Sequence, residues 1–251
     1  MAEYMEIALS HPEYGYYMQR DPLGVAGDFT TAPEISQIFG EIIGAWLAHN
    51  WQLLGSPSEI VLVELGAGRG TLMADILRAT KNIKGFHEAL SIYLVEISPV
   101  LKQKQWKTLA GKIERIEWHE NLDSLPELPL LLIANEFFDA LPIRQFSGND
   151  ERMVSIINNK LGFTTDNVTH ETCEAAIAIV KVISEHIATH SGAALIIDYG
   201  YSGGSKADSL QAMKNHSYHP VLEDAGNADL TAHVDFFTLL ETAKEYAVNV
   251  Y

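Results

Sequence analysis

The sequence predicts an α/β fold: a doubly wound, mostly parallel sheet, with an N-terminal helical extension and an insertion between its fourth and fifth strands. Three observations predict it. From residue 59 onward, apolar runs of strand length alternate with segments of helix length. The runs are continuous rather than alternating, as expected of strands buried on both faces. The first run ends in an acid followed by glycines, the form a parallel strand takes when it turns tightly into a helix.

Residues 1–56 read as the extension. AEYMEIAL is a short amphipathic stretch, and HPEYGYY (11–17) is an aromatic loop. Tyr14, Tyr16 and Tyr17 either cover a ligand cleft or pack as a lid on the sheet edge. Residues 34–54 predict a helix, because Ile35, Ile38, Phe39, Ile42, Ile43, Trp46 and Leu47 recur at spacings of three and four. Thr31 and Glu34 fit a capping box, with Pro33 in the first turn.

Residues 57–251 read as the main domain. IVLVEL (60–65) predicts the first strand and residues 71–80 a helix. IYLVEI (92–97) predicts the second strand, and residues 99–110 a helix with Pro99 in its first turn. RIEWHE (115–120) and PLLLIANEF (129–137) predict the third and fourth strands. The insertion spans about 144–190: RQFS and ERMVSIINNKLGF read as short strands of an added ribbon, followed by a helix over 171–189. GAALIIDYG (192–200) predicts the fifth strand, residues 233–245 a helix, and AVNVY (247–251) the start of a strand. The chain stops where such a sheet would take another edge hairpin, so a further C-terminal segment is expected.

Composition excludes several classes. The chain has 251 residues, 47% of them apolar, with 17 Lys and Arg against 33 Asp and Glu, for a formal charge of −16. That balance opposes nonspecific attachment to a nucleic-acid backbone and leaves a cationic partner open. One cysteine, Cys173, excludes an internal disulfide and any multi-cysteine zinc site. No apolar run approaches the ~18–20 residues of a membrane span. The N-terminus carries Glu3, Glu6 and Glu13 and no Lys or Arg before Arg20, unlike a secretory signal or basic transit peptide. His186 and His190, four apart on a helix, could present two metal ligands, but no third is in view.

The sharpest motif is Glu64-Leu-Gly66-Ala-Gly68-Arg-Gly70-Thr71. A dinucleotide fingerprint would place its third glycine at position 71, which is Thr. An acid followed by G-x-G-x-G is instead the pattern of S-adenosylmethionine (AdoMet) binders: the glycines make room for the ligand's methionine moiety and the acid can face its ammonium. The alternative is a tight turn without a ligand. Glu96 ends the second strand, where an acid accepts hydrogen bonds from both ribose hydroxyls; a solvated strand end is the other reading. Glu120 and Asn121 follow the third strand, where an adenine amino group would fall. The fourth strand ends Asn135-Glu136-Phe137-Phe138-Asp139. Two carboxylates beside two rings suit a planar guanidinium, by bidentate hydrogen bonding and stacking. A core loop with surface acids is the alternative. Asp198 and Tyr199 end the fifth strand and face the ligand edge by topology, and His233 is the best placed of the late histidines. Asp28 reads as a turn residue or as part of the site.

Taken together, GDFTTAPEIS (27–36), ELGAGRGTLM (64–73), VEISPVLKQKQ (95–105), NEFFDALPIRQF (135–146), LIIDYGY (195–201) and DLTAHVDF (229–236) resemble the MidA family. The resemblance implies a Rossmann-like class I methyltransferase fold, AdoMet as cofactor, and protein arginine methylation in assembly of respiratory complex I. It implies a partner protein with an accessible arginine, in bacterial cytoplasm or the mitochondrial matrix. Glu64, Gly66, Gly68 and Gly70 would line the cofactor pocket, Glu96 would hold the ribose, and the segment containing Asp28 and Thr31 would fold over the reacting methyl. Glu136, Asp139 and Asn135 would orient the acceptor, with Phe137, Phe138, Asp198, Tyr199 and His233 lining its site. A noncatalytic assembly factor that keeps the fold is the competing reading, and AdoMet affinity separates the two.

Overall fold

The computed structural model describes residues 1–22, 24, 28, 31–203 and 208–251. Five strands form the central sheet: Ile60–Leu65, Leu90–Val95, Ile116–His119, Leu130–Asn135 and Gly192–Ile197. Their spatial order is fifth, fourth, first, second, third, and every pairing is parallel. The order reverses beside the first strand, and in open α/β sheets that switch point opens a crevice at the carboxyl edge.

Register decides what meets there. Glu64 lies between Leu94 and Ile133, and Leu65 between Val95 and Ala134. Ile197 pairs with Asn135, and the Glu136 N–H donates to the Ile197 carbonyl at 2.9 Å. Glu64, Glu96, Asn135, Glu136 and Asp198 therefore reach one edge together.

Apolar burial covers both faces. Val61, Val63, Leu65, Leu132 and Ala134 face Ala176, Val180, Ile183 and Leu239 from the helices Glu174–His190 and Phe236–Lys244. Ile60, Leu62, Ile92 and Leu131 face Ile43, Leu47, Met73 and Ile76 from the helices Gln37–Leu53 and Thr71–Thr80.

The helix Gln37–Leu53 buries part of the predicted stripe, with Ile43 and Leu47 in the core and Phe39 and Trp46 packed against it, but its inward face is rotated away from Ile38 and Ile42. Gly40, Ile43, Gly44, Leu47, Ala48 and Trp51 are buried, whereas Ile35, Ile38 and Ile42 are 73%, 64% and 63% exposed. Close approach of two helices explains the choice. A Cβ on Gly40 would lie 2.5 Å from the Asp75 Cβ, and one on Gly44 would lie 3.3 Å from the Ile76 Cα. Gly40→Ala is therefore expected to destabilise the fold by about 1–2 kcal/mol: overpacking costs ~1–3 kcal/mol and alanine's helix propensity offsets part of it. Denaturant unfolding checks this, and an unchanged midpoint would contradict it.

The capping box is also corrected. A short helix, Ala32–Ile35, precedes the long one, and the Ser36 hydroxyl caps the latter by accepting from the Ile38 N–H at 3.3 Å. Thr31 makes no side-chain cap, and Glu34 is engaged elsewhere.

Within residues 144–172, short strands pair antiparallel. Sequence reading missed a three-stranded antiparallel sheet of Gln211–Lys214, Ser217–His219 and Asp229–Thr231. Met5, Leu9 and Tyr16 share a core with Ala212 and Leu230, which ties the N-terminal helix Ala2–Ser10 to this late sheet. AVNVY is not a strand. Ala247 has φ +56°, which breaks the extended backbone after the helix Phe236–Lys244. No helix among the described residues is long and apolar enough to cross a membrane.

Candidate functional site

A cleft of about 200 Å³ opens at the carboxyl edge of the sheet. Glu64, Gly66, Gly68, Glu96, Thr31, Asn135, Glu136 and Phe137, drawn from four separate segments of chain, all line it. Tyr17, Glu34, Arg69 and Thr71 line it too, and so do the apolar side chains of Leu72, Ile97 and Leu101.

The turn after the first strand is built by its glycines. Gly66 has φ +64°, and a Cβ there would sit 2.8 Å from the Phe137 ring, so any side chain would fill the cleft wall. Gly70 (φ +79°) lies outside the lining; it starts the helix Thr71–Thr80, and a Cβ there would press on the Gln105 backbone at 3.3 Å.

Glu64 is 3% exposed, and its Oε2 has no hydrogen-bond partner. Burial, and secondarily the nearby Glu96 charge, push its pKa up to about 8. An isolated buried carboxyl of this kind is stabilised by a cation. Glu96 is also buried and raised by its burial, but it is held: its Oε1 accepts from the Ser98 N–H at 2.9 Å and its Oε2 from the Gln105 amide at 3.0 Å.

Asn135 and Glu136 meet the cleft from the fourth strand. Glu136 has φ +49°, a left-handed conformation costly for a residue with a Cβ and often retained at functional sites. Its Oε1 accepts from the Asn135 amide at 3.3 Å and from the Ala32 N–H at 3.5 Å. Burial raises its pKa. Asp139 is raised well above the usual carboxylate range by burial, then by the charges of Asp198, Asp229 and Glu136. The Asp198 carboxylate accepts from the N–H groups of Phe138, Asp139 and Tyr199 at 2.9, 3.2 and 2.8 Å, so it holds the short turn Phe138–Ala140 in place.

Asp139 and Asp198 are not among the residues that line the cleft, and the remaining candidates lie apart from it. Asp28 is buried in a structural knot, accepting from the Tyr16 hydroxyl at 2.7 Å and the Asn215 N–H at 2.7 Å and pairing with Arg20. Gly27, Phe29 and Thr30 of the same motif lie outside the described residues. Glu120 points into solvent with Lys102 at 3.8 Å. Phe138 and His233 line a second cavity of about 80 Å³. Tyr199 is exposed. His186 meets the Leu128 carbonyl at 2.9 Å, and the described residues contain no cluster able to hold a metal.

Of the three tyrosines expected to cover a cleft or pack as a lid, Tyr17 alone lines the cleft, and two further contributions, from Arg69 and Gln105, escaped sequence reading. Tyr17 reaches the cleft while its hydroxyl donates to the buried Asp229 at 2.8 Å; Tyr16 is fully buried and Tyr14 exposed. Arg69, between the glycines, pairs with Asp21 at 2.7 Å and Glu34 at 3.3 Å, and Thr71 donates to Glu34. Arg69 thus ties the N-terminal segment to the glycine turn. Gln105 is fully buried behind Glu96. Arg69 could have been singled out by its place inside the glycine motif. Gln105 carries no local signal.

These features fit AdoMet. The glycine-walled turn leaves space for backbone approach, Glu64 offers an unpaired carboxyl to an ammonium, Glu96 offers a held carboxylate to a diol, and apolar side chains flank both.

Similarity to known proteins agrees. A family described as "Putative S-adenosyl-L-methionine-dependent methyltransferase" matches residues 42–169 and 151–251. The mitochondrial protein arginine methyltransferase NDUFAF7 of Danio rerio is 39% identical over 99% of this chain and 69% of its own length. The Homo sapiens protein of that name is 38% identical over 97% of this chain and 65% of its own length. The chain thus spans about two thirds of these relatives. A crystal structure of a COG1565 superfamily member from Burkholderia thailandensis bound to S-adenosyl-homocysteine superposes with a TM-score of 0.80 at 27% identity, covering 98% of this chain and 71% of that one. With its glycine turn, its paired cleft acids and these matches over nearly its whole length, the chain belongs to the MidA family of S-adenosylmethionine-dependent methyltransferases.

Proposed function

We propose that this chain methylates an arginine of a partner protein, with Glu136 as the anchor for the guanidinium. The observation that carries the reading is Glu136 itself: a cleft carboxyl in a left-handed conformation, adjoining Phe137 and within the electrostatic reach of Asp139 and Asp198. AdoMet supplies an electrophilic methyl on a sulfonium.

The protein's tasks follow from the acceptor. A guanidinium is protonated and weakly nucleophilic. Carboxylates that bind its nonreacting nitrogens concentrate positive charge there and leave the third nitrogen richer in electron density. Glu136 and Asp139 serve this role. Asp198 positions Asp139 by holding the N–H groups of the turn. Burial raises all three carboxyls, and an arriving cation favours their ionised forms. The proton that leaves the methylated nitrogen passes to this acid cluster. Apolar lining excludes water around the reacting atoms.

The substrate class is a protein with an accessible arginine, and a respiratory complex I subunit is the candidate to try first. The matched relatives are named mitochondrial, so we place the reaction in the mitochondrial matrix of a eukaryote or the cytoplasm of a bacterium. Incubating the chain with candidate proteins and isotopically labelled AdoMet, followed by amino-acid analysis, tests the reading. Label in methylarginine supports it; label confined to lysine, glutamine or a nucleic acid overturns it.

A further inference from the structure

We propose that Gln105 is a positioning residue that locks the ribose-binding acid, Glu96, to the glycine turn. The inference rests on AdoMet occupying the cleft described above.

Gln105 lies in the helix Pro99–Leu109 and is fully buried. Its amide nitrogen donates to the Gly68 carbonyl at 2.9 Å and to Glu96 Oε2 at 3.0 Å. Its Oε1 accepts from the Trp118 indole N–H at 2.8 Å. An indole N–H only donates, so Trp118 fixes which end of the amide is oxygen. The NH₂ is then obliged to face the two cofactor-side acceptors. One side chain thereby joins the turn after the first strand, the acid after the second and the indole of the third.

The consequence falls on Glu96. Ser98 N–H holds one carboxylate oxygen and Gln105 the other, which leaves the carboxylate in a single orientation. A ribose diol needs both oxygens turned toward it, and a carboxylate preset in that orientation loses less freedom on binding. The same two donors favour the charged form of Glu96 against the opposing effect of burial. Glu64 on the first strand and Lys102 on the helix also act electrostatically on Glu96, and neither is altered by substitutions at position 105.

The test is calorimetric titration of S-adenosylhomocysteine (AdoHcy) into the 251-residue chain across a pH series. The variants are Gln105→Leu, Trp118→Phe, Glu96→Gln, and Gln105→Leu combined with Glu96→Gln. Gln105→Leu is expected to weaken AdoHcy about tenfold or more, as loss of hydrogen bonds to a charged group does. The acid limb of its affinity should move to higher pH, because Glu96 loses a donor that favours ionisation. Trp118→Phe frees the amide to rotate while keeping a ring in place; a smaller loss in the same direction is expected, so the test survives if Gln105→Leu fails to fold. In the Glu96→Gln background, Gln105→Leu should cost much less than it does alone. An unmoved acid limb, or losses that simply add, would show a merely structural role and overturn the proposal. Absence of any AdoHcy binding by the unmodified chain would instead overturn the cofactor reading beneath it.

Discussion

Glu136→Gln is expected to lower methyl transfer to arginine by about 10²–10³-fold while AdoHcy affinity stays within about twofold of wild type. The amide keeps the shape of the side chain and an acceptor oxygen, so the Ala32 and Asn135 contacts can survive. What is lost is the negative charge, and charge-assisted bonds that act on developing transition-state charge are worth about that factor. AdoHcy has no guanidinium, so its affinity isolates the cofactor site from the acceptor site. Single-turnover rates with a methyl-accepting protein, alongside calorimetry, check both halves. Wild-type turnover in the variant would remove Glu136 from the role of anchor. Equal losses of turnover and AdoHcy affinity would place it in the cofactor pocket instead.

Glu64→Gln should produce opposite effects on stability and on binding. In the ligand-free protein the Glu64 pKa is raised, from 4.5 to about 8. A group raised in the folded state contributes stability that is fully present below its unfolded pKa and is lost as pH rises toward and through its folded value. Wild-type stability should therefore fall between pH 4.5 and 8 from this group. Glutamine stays neutral and escapes that loss. Above pH 8 the variant should be the more stable by on the order of 3 kcal/mol, part of the gain being offset by the unmet hydrogen bonds of its own amide. AdoHcy affinity should fall ~10–100-fold, because the ammonium loses its charged partner. A third signature follows: binding to wild type at neutral pH should release a proton as Glu64 ionises against the ammonium, and the variant should release none. Calorimetry in buffers of different ionisation enthalpy measures this directly. Unaltered affinity would mean that Glu64 does not face the ammonium, and a variant less stable than wild type at high pH would contradict the raised Glu64 pKa.

The parts of this molecule that the sequence made legible are those governed by local pattern. Residues 60–70 were readable because a continuous apolar run, an acid and three glycines coincide, and each has a single physical use in a parallel strand entering a helix. Glu96 and Glu136 were readable because strand ends in such sheets share one edge. The helix Gln37–Leu53 shows where pattern stops. Its period was correct and Ile43 and Leu47 lie inward as predicted, but close backbone approach at Gly40 and Gly44 rotates the buried face away from Ile38 and Ile42, which period alone does not reveal. Glu34 illustrates the same limit: the capping-box spacing is present, yet Arg69 and Thr71 offer that carboxylate charged and hydroxyl donors across 35 and 37 residues. Tyr17 acts through Asp229, 212 residues away, and Gln105 reaches Gly68, 37 residues away. The sheet of Gln211–Lys214, Ser217–His219 and Asp229–Thr231 escaped because its strands are of three or four residues and draw their stability from the N-terminal helix rather than from their own composition.

The most direct test of the central claim is a crystal structure of this chain grown with AdoHcy. The amino-acid end of the ligand should lie along Gly66 and Gly68 with its ammonium at Glu64, and its ribose hydroxyls should meet Glu96. The sulfur should then point toward Asn135 and Glu136. Ligand bound away from the Gly66–Gly68 turn, or a cleft left empty at saturating AdoHcy, would contradict the account.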